Sequence, residues 1–390
     1  LNDRPRPLWT RDFGLLLAGA LLQGVAFYLL LPALPLYVVG PLGRAEDSVG
    51  LAIAVFSITA MATRPAVGFL LDRFGRRAWQ LGASAVFTLA LLGHALLPGF
   101  GALVALRLLQ GLGWGMVGVA SATVAADLVP TARRGEGMSF YGTAMPLALS
   151  VGPMLGTLVV AGGRFRLLFL CAGALAVMAW ALFACVRTPR MSDPAARYTW
   201  RTAFEPKTLP LFGYMLPLCV AYGGLISFAP LDSARVGLES AGGLFTAYAL
   251  GAVGARLFTS RWYDRAGPGW PALGGTLLLA LSWVGLGLAH EPLGALAASA
   301  GMGLGFGALM PAYQAMAMDL VPPGRRGAAN ATIFSAFDVG IALGALGFGL
   351  MVSHTGWRAG VYWLSAGLTA LAGVVYLAWT GPHFRRNRLR

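Results

Sequence analysis

Apolar stretches of about 20 residues recur along the whole of this 390-residue chain, and each is long enough to cross a hydrocarbon core of about 30 Å as a helix. Only 11% of the residues are charged, while 57% are hydrophobic. A soluble domain carries about 25% charged residues, so a large water-soluble core is excluded. The pattern specifies an all-α membrane protein that crosses the bilayer many times. Twelve helices are expected, at approximately 13–39, 48–71, 78–97, 102–128, 137–160, 165–186, 209–232, 241–263, 270–289, 293–320, 327–353 and 358–380. The first apolar run, from Phe13, exceeds the length of a signal peptide and is read as helix 1.

A second pattern runs through the first. Asp72-Arg73-Phe74-Gly75 is echoed 192 positions later by Asp264-Arg265-Ala266-Gly267. The same offset relates Arg64 to Arg256, Asp127-Leu128-Val129-Pro130 to Asp319-Leu320-Val321-Pro322, and Arg133-Arg134-Gly135 to Arg325-Arg326-Gly327. One constant offset at separated places means that two halves descend from one repeat, the plan of a transporter built from two similar bundles. The expected boundaries are a six-helix bundle at 1–186, a polar linker at 187–208 with Pro189, Pro194 and Pro206, and a second bundle at 209–390.

Net charge is +14, from 28 Arg and one Lys against 15 acids. Basic chains often bind nucleic acid, but here the arginines sit between apolar spans. Alternate loops and both termini hold 21 of the basic residues, the opposite loops hold 5, and Arg64, Arg107 and Arg256 fall inside helices. This bias places both termini and the linker in the cytoplasm, which predicts a multi-pass protein of the cell's inner membrane. Cys171, Cys185 and Cys219 lie in apolar spans with spacing that fits no metal site or disulfide framework. No metal and no cofactor is expected. No phosphate-binding loop or catalytic triad is present, so neither ATP-driven transport nor an enzyme is indicated.

Gly68-x-x-x-Asp72-Arg73-x-Gly75-Arg76-Arg77 resembles the signature between helices 2 and 3 of the major facilitator superfamily, and Arg64-Pro65 extends the match. The resemblance covers essentially the whole chain and implies two pseudo-symmetric six-helix bundles. It also implies that this loop acts as a cytoplasmic latch between the halves in the outward-open state. Asp72 would complement a helix dipole in the other half, and the arginines would meet carbonyl ends or acids such as Asp127 and Asp319. Asp264 and Arg265 are the echo of the latch. By their symmetry, Arg64 and Arg256 read as supports for it.

Further motifs refine the resemblance. Arg107-Leu-Leu-Gln110-Gly111-Leu-Gly113-Trp-Gly115 in helix 4 is similar to a superfamily motif associated with proton coupling in exporters. The repeat keeps its glycines as Gly303, Gly305 and Gly307 but has Ser299 in place of Arg107. Gly152-Pro153-Met-Leu-Gly156 in helix 5 resembles the antiporter motif, with Thr157 where a second Gly is usual. Gly24 and Pro32-Ala-Leu-Pro35 in helix 1 resemble a motif of the twelve-helix drug:proton antiporter family.

Asp338 is the most centrally placed carboxylate, 12 residues after Arg326 and so about 18 Å along helix 11. A carboxylate held away from water can exchange a proton near neutral pH, and Asp338 is the candidate proton carrier, with Arg107 adjusting its charge state. The bland alternative is a hydrogen-bonded Asp that only pins helix packing. In this superfamily helices 1, 4, 7 and 10 line the cavity, which nominates Gln23, Tyr28, Gln110, Trp114, Tyr222, Tyr313 and Gln314 as substrate contacts. The expected protein is a monomeric exporter that moves a small amphipathic organic molecule against protons by alternating access, with the proton gradient as its energy source. An uptake symporter for a metabolite and a lipid or lysolipid flippase share the fold and stay open at this point.

Overall fold

The structure is a computed structural model that describes residues 7–388, except 131–133, 161, 189–203, 239–241, 268 and 323–324. Helix α1 (Arg11–Leu29) starts at Thr10, whose hydroxyl accepts the Phe13 N–H at 3.2 Å, and carries Asp12 in its first turn. The expected single helix 13–39 is broken at residues 30–32. Pro32 has no N–H to continue the ladder, and α2 (Ala33–Val39) restarts after it. The crossing continues with α3 (Glu46–Phe74), α4 (Arg76–Leu96) and α5 (Phe100–Leu128).

The expected helix 137–160 is likewise two pieces, α6 (Arg134–Gly142) and α7 (Ala144–Val160). Position 146 is proline, so the Gly142 carbonyl receives no N–H from it, and the Thr143 hydroxyl donates to the Phe140 carbonyl at 2.7 Å at the break. Helix α8 (Phe165–Cys185) closes the first half.

The second half comprises α9 (Leu209–Asp232), α10 (Gly242–Ala266), α11 (Gly269–Leu288), α12 (Pro292–Asp319), α13 (Arg326–Thr355) and α14 (Ala359–Val375). After α14 a π-turn (Tyr376–Thr380) leads into α15 (Gly381–Asn387), with Pro382 in its first turn. Among the described residues eleven spans are long and apolar enough to cross a membrane, and α10 supplies a shorter apolar stretch, Gly242–Ala255.

The halves repeat each other in packing as well as in sequence. In the first, α3 and α4 pack on α5, while α1 packs on α7 and α8; in the second, α10 and α11 pack on α12, while α9 packs on α13 and α14. The register agrees to the residue. Gly111 lies against the Phe56 carbonyl and Gly303 against the Tyr248 carbonyl. Gly115 meets the Ala60 carbonyl and Gly307 the Ala252 carbonyl. Each of these partners is also displaced by 192. Helices that approach this closely have no room for a Cβ.

Arg107 obeys the same register. Its Nε donates to the Ala52 carbonyl at 3.1 Å, while the Ser299 hydroxyl donates to the Leu244 carbonyl, 192 residues on, at 2.6 Å.

The halves meet along two principal seams, α3 against α13 and α7 against α10, with a smaller contact between α2 and α9. The start of α1, where Asp12 accepts the Arg187 N–H, and α15, where His383 meets the Lys207 carbonyl, mark one face, here called the terminal face; the other is the far face. Toward the far face α3 and α13 approach at backbone distance, with Gly50 against Ala345 and Gly349 beside Asp47. Large apolar residues such as Leu89, Leu158, Leu250 and Leu277 are exposed along the helices, as lipid-facing positions require.

Candidate transport site

Asp338 lies in the α3–α13 seam, and Arg64 of the other half meets it there. Arg64 Nε donates to one carboxylate oxygen at 2.7 Å, and a terminal guanidinium nitrogen lies 3.4 Å from the other. The two side chains are 12% and 9% exposed. Arg64 is 10 residues before the end of α3 and Asp338 is 12 residues into α13, so both lie about 15–18 Å in from the terminal face. Two opposite charges in such a place hold each other; removing one partner leaves the other desolvated, at a cost of about 3–5 kcal/mol.

Aromatic rings from both halves surround the pair. The Arg64 guanidinium stands 5.6 Å from the Phe334 ring centre. Phe337 packs 6.0 Å from Phe334 and 6.3 Å from Tyr313. Tyr28 and Cys219 are within electrostatic reach of Asp338. Tyr28 meets Trp114 edge-on at 6.5 Å, and on the other side Tyr222 packs 6.3 Å from Tyr248 and 5.2 Å from Phe306. An apolar aromatic surround with one charged centre is a usual form for a small-molecule site.

The remaining cavity candidates divide. Gln23 accepts from the Ser84 hydroxyl at 3.1 Å and Gln110 accepts from Arg107 at 2.8 Å, both buried inside the first half. Tyr313, fully buried, donates to the Ile333 carbonyl at 3.1 Å. Gln314 is half-buried.

Arg107 is also elsewhere than expected for a modulator of Asp338. It lies 7 residues from the far-face end of α5, about 10 Å in. Its guanidinium is held by Ala52 and Gln110 and stands 4.4 Å from the Phe56 ring centre. Phe56 stacks on Phe27 at 5.0 Å, and Phe27 on Trp114 at 4.2 Å. Arg107 thus ends an aromatic column, and it does not stand beside the acid.

The helix-5 motif has a visible geometric role. A Cβ on Gly152 would lie 2.6 Å from that of Tyr28, and Gly156 sits on the Leu29 carbonyl. Gly152 and Gly156 therefore let α7 cross α1 where Tyr28 is presented to the seam. Pro153 lies inside α7, and its carbonyl accepts the Thr157 hydroxyl at 3.2 Å.

In the latch segment Gly75, with φ 90°, separates α3 from α4. Arg76 pairs with Asp127, and Arg77 donates to the Ala184 carbonyl at 2.7 Å. Both contacts tie α4 to α5 and α8 within the first half. Asp319 is exposed at the end of α12. Gly68 and the side chains of Asp72, Arg73, Arg256, Asp264 and Arg265 lie outside the described residues.

Sequence reasoning passed over one arrangement, a clasp on the far face. Arg358 pairs with Glu46 of the first half and donates to Asp232 of its own half at 3.1 Å; Tyr362 donates to the same carboxylate at 2.7 Å. A signal for it was present. Arg358 has its repeat counterpart in Arg166, which is exposed, but Glu46 and Asp232 correspond to Leu238 and Gly40. The acids mark one side of a repeated arginine. Arg358→Gln is expected to lower the melting temperature in detergent, because Asp232 loses a charged hydrogen bond of about 1–3 kcal/mol. Arg166→Gln should leave it unchanged.

The sequence profile of the Major Facilitator Superfamily matches residues 16–242 and 231–389. The chain belongs to this superfamily. The protein is a multi-pass membrane transporter built of the two repeated helical halves described above. A multi-drug resistance efflux pump PmrA homolog of Lactococcus lactis is 25% identical over 97% of this chain and 96% of its own length. The multi-drug resistance efflux pump PmrA of Streptococcus pneumoniae serotype 4 is 30% identical over 45% of each chain. Among solved structures, a POT family transporter in complex with a thioalcohol-conjugated peptide superposes with TM-score 0.83 at 12% identity, covering 96% of both chains. The human organic anion transporter MFSD10 superposes with TM-score 0.71 at 21% identity, covering 94% of this chain and 98% of that one. At these identities the two structures speak for the fold.

Proposed function

We propose that this transporter exports a small amphipathic organic molecule in exchange for protons, working by alternating access in the cell's inner membrane with both termini cytoplasmic. The observation that carries the reading is the Asp338 carboxylate, buried at mid-depth where the two halves meet and paired there with an arginine of the opposite half. A proton at that position removes the charge that holds the pair, so protonation and the relation between the halves become one event. The aromatic surround of Tyr28, Trp114, Tyr222 and Phe337 suits an apolar body. Similarity to the PmrA homolog supports outward movement, and the arginine-rich loops support the orientation. No cofactor enters this scheme, and a single chain carries both halves of the path.

Proteoliposomes with an imposed pH gradient test the direction. A fluorescent amphipathic probe should move uphill, counter to the protons, and collapse of the gradient should stop it. Movement of probe and protons in the same direction would replace this reading by uptake symport.

A further inference from the structure

Helix α14, the π-turn and α15 form one helical run of 29 residues, Ala359–Asn387, about 44 Å long. The hydrocarbon core of a bilayer is about 30 Å thick. The first half shows what the repeat itself needs. There α8 has 21 residues, about 32 Å, and its last residue, Cys185, has Leu377 as its counterpart 192 positions on. The second half continues on the terminal face from Ala378 to Asn387, about 15 Å further. That overhang has the length to pass out of the hydrocarbon and through the headgroup layer.

The overhang is fastened to the bundle. Thr380 in the π-turn donates to the Pro210 carbonyl of α9 at 2.7 Å, His383 Nε2 meets the Lys207 carbonyl at 2.9 Å, and Phe384 is buried. Its outer side is laid out by depth. Trp379 packs against Gly213 of α9 yet is half exposed, and Trp270, at the start of α11, is exposed as well. Exposed tryptophan at the end of a span marks the boundary between hydrocarbon and headgroups. Arg386 follows Trp379 by seven residues, about 10 Å along the axis, which brings it and Arg385 to the level of lipid phosphates. Both arginines are exposed, as is Lys207. Among the described residues no carboxylate forms an ion pair with any of the three, and Glu205, close to Lys207, is taken by Arg325. The repeat counterparts of Arg385 and Arg386 are Asp193 and Pro194, so symmetry of the fold does not require these charges.

We propose that the overhang binds the headgroup of an anionic phospholipid in the leaflet on the terminal face, with Arg385 and Arg386 on its phosphate and Trp379 against the glycerol and upper acyl chain. The partner follows from charge and depth. Two guanidiniums on a docked helix, with no acid beside them, suit a phosphate. A zwitterionic headgroup offers the same phosphate but adds an ammonium, which the arginines repel, so the anionic lipid is selected. The attraction that orients basic loops in general is diffuse; here it is directed to two side chains at one depth. The site is independent of the direction of transport and of any role of Asp338.

The full chain, purified in detergent, is titrated with phosphatidylglycerol, phosphatidylethanolamine and soluble glycerol 3-phosphate, and the bound molecules are counted by native mass spectrometry. The parent should hold phosphatidylglycerol saturably, and phosphatidylethanolamine about tenfold more weakly. Arg385→Gln/Arg386→Gln should bind phosphatidylglycerol about thirtyfold more weakly, at about 1 kcal/mol for each basic residue. Arg385→Lys/Arg386→Lys should recover most of the affinity, which separates lost charge from lost fold. Arg11→Gln/Arg187→Gln removes the same charge from exposed positions of the first half on the same face and should bind as the parent does.

An equal loss in Arg11→Gln/Arg187→Gln would reduce the effect to the overall charge of the face and overturn the site. Equal affinity for the two lipids, or unchanged phosphatidylglycerol binding by Arg385→Gln/Arg386→Gln, would overturn it too. Glycerol 3-phosphate bound as tightly as the lipid would make the ligand a free phosphate ester and overturn the assignment to a membrane lipid.

Discussion

Asp338→Asn is expected to abolish uphill transport in reconstituted vesicles. Asparagine keeps the shape of the side chain but cannot release a proton, so a pH gradient would have nothing to act on at the seam. The substitution also leaves Arg64, 12% exposed, without its counter-ion. That loss is expected to destabilise the protein by about 3–5 kcal/mol, and a poorly folded variant would be silent for the wrong reason. Combining it with Arg64→Gln removes the stranded charge. The double variant should recover most of the melting temperature and still fail to drive transport against a gradient. Downhill movement of an amphipathic probe should survive in it if the site still forms. Uphill transport by Asp338→Asn, at the level of the parent, would end the case for proton exchange at this carboxylate.

The second large effect is structural. Gly303→Val should leave little monodisperse protein on size-exclusion chromatography. At this position any Cβ would be driven into the Tyr248 carbonyl of α10, and the two helices would have to part along their length. Overpacking typically costs about 1–3 kcal/mol and more where, as here, backbone meets backbone. Gly111→Val, against the Phe56 carbonyl, should fail in the same way in the other half. A methyl group added at Gly367 in α14 would meet nothing within 4 Å, so Gly367→Ala should be neutral or stabilise by about 0.4–1 kcal/mol. Normal yield from Gly303→Val would mean that α10 and α12 do not approach as described.

Much of the architecture was legible because membrane helices write themselves as long apolar runs and because a duplicated chain states its symmetry twice. The 192-residue offset carried the fold down to individual contacts, such as Gly111 and Gly303. The breaks at residues 30–32 and at Thr143 were less legible. Proline in a membrane helix can bend, break or merely sit in the first turn, and a single sequence does not say which.

Asp338 stood out in the sequence because a carboxylate deep in an apolar run is costly. Its partner did not. Arg64 sits 274 residues away on the other half, and its twin Arg256 suggested a shared supporting role in the latch. The more telling comparison was Asp338 with Pro146, its counterpart 192 residues earlier, which shows that the acid that meets Arg64 is not repeated in the sequence. Gln23, Gln110 and Tyr313 illustrate the opposite difficulty. Polarity within a cavity-lining helix marks either a ligand contact or a hydrogen bond inside the bundle, and the structure gives one such bond to each of the three, with Ser84, Arg107 and the Ile333 carbonyl.

The twin bonds made by Arg107 and Ser299 separate a joint from a charge. Both halves place at this position a side chain that donates to the same carbonyl of the repeat, that of Ala52 in one and of Leu244 in the other. A hydroxyl suffices for that joint. The guanidinium in the first half makes the same joint and has charge to spare, which it turns toward the aromatic column of Phe56, Phe27 and Trp114. Of the two copies, one is joinery alone and the other is joinery that also carries a charge.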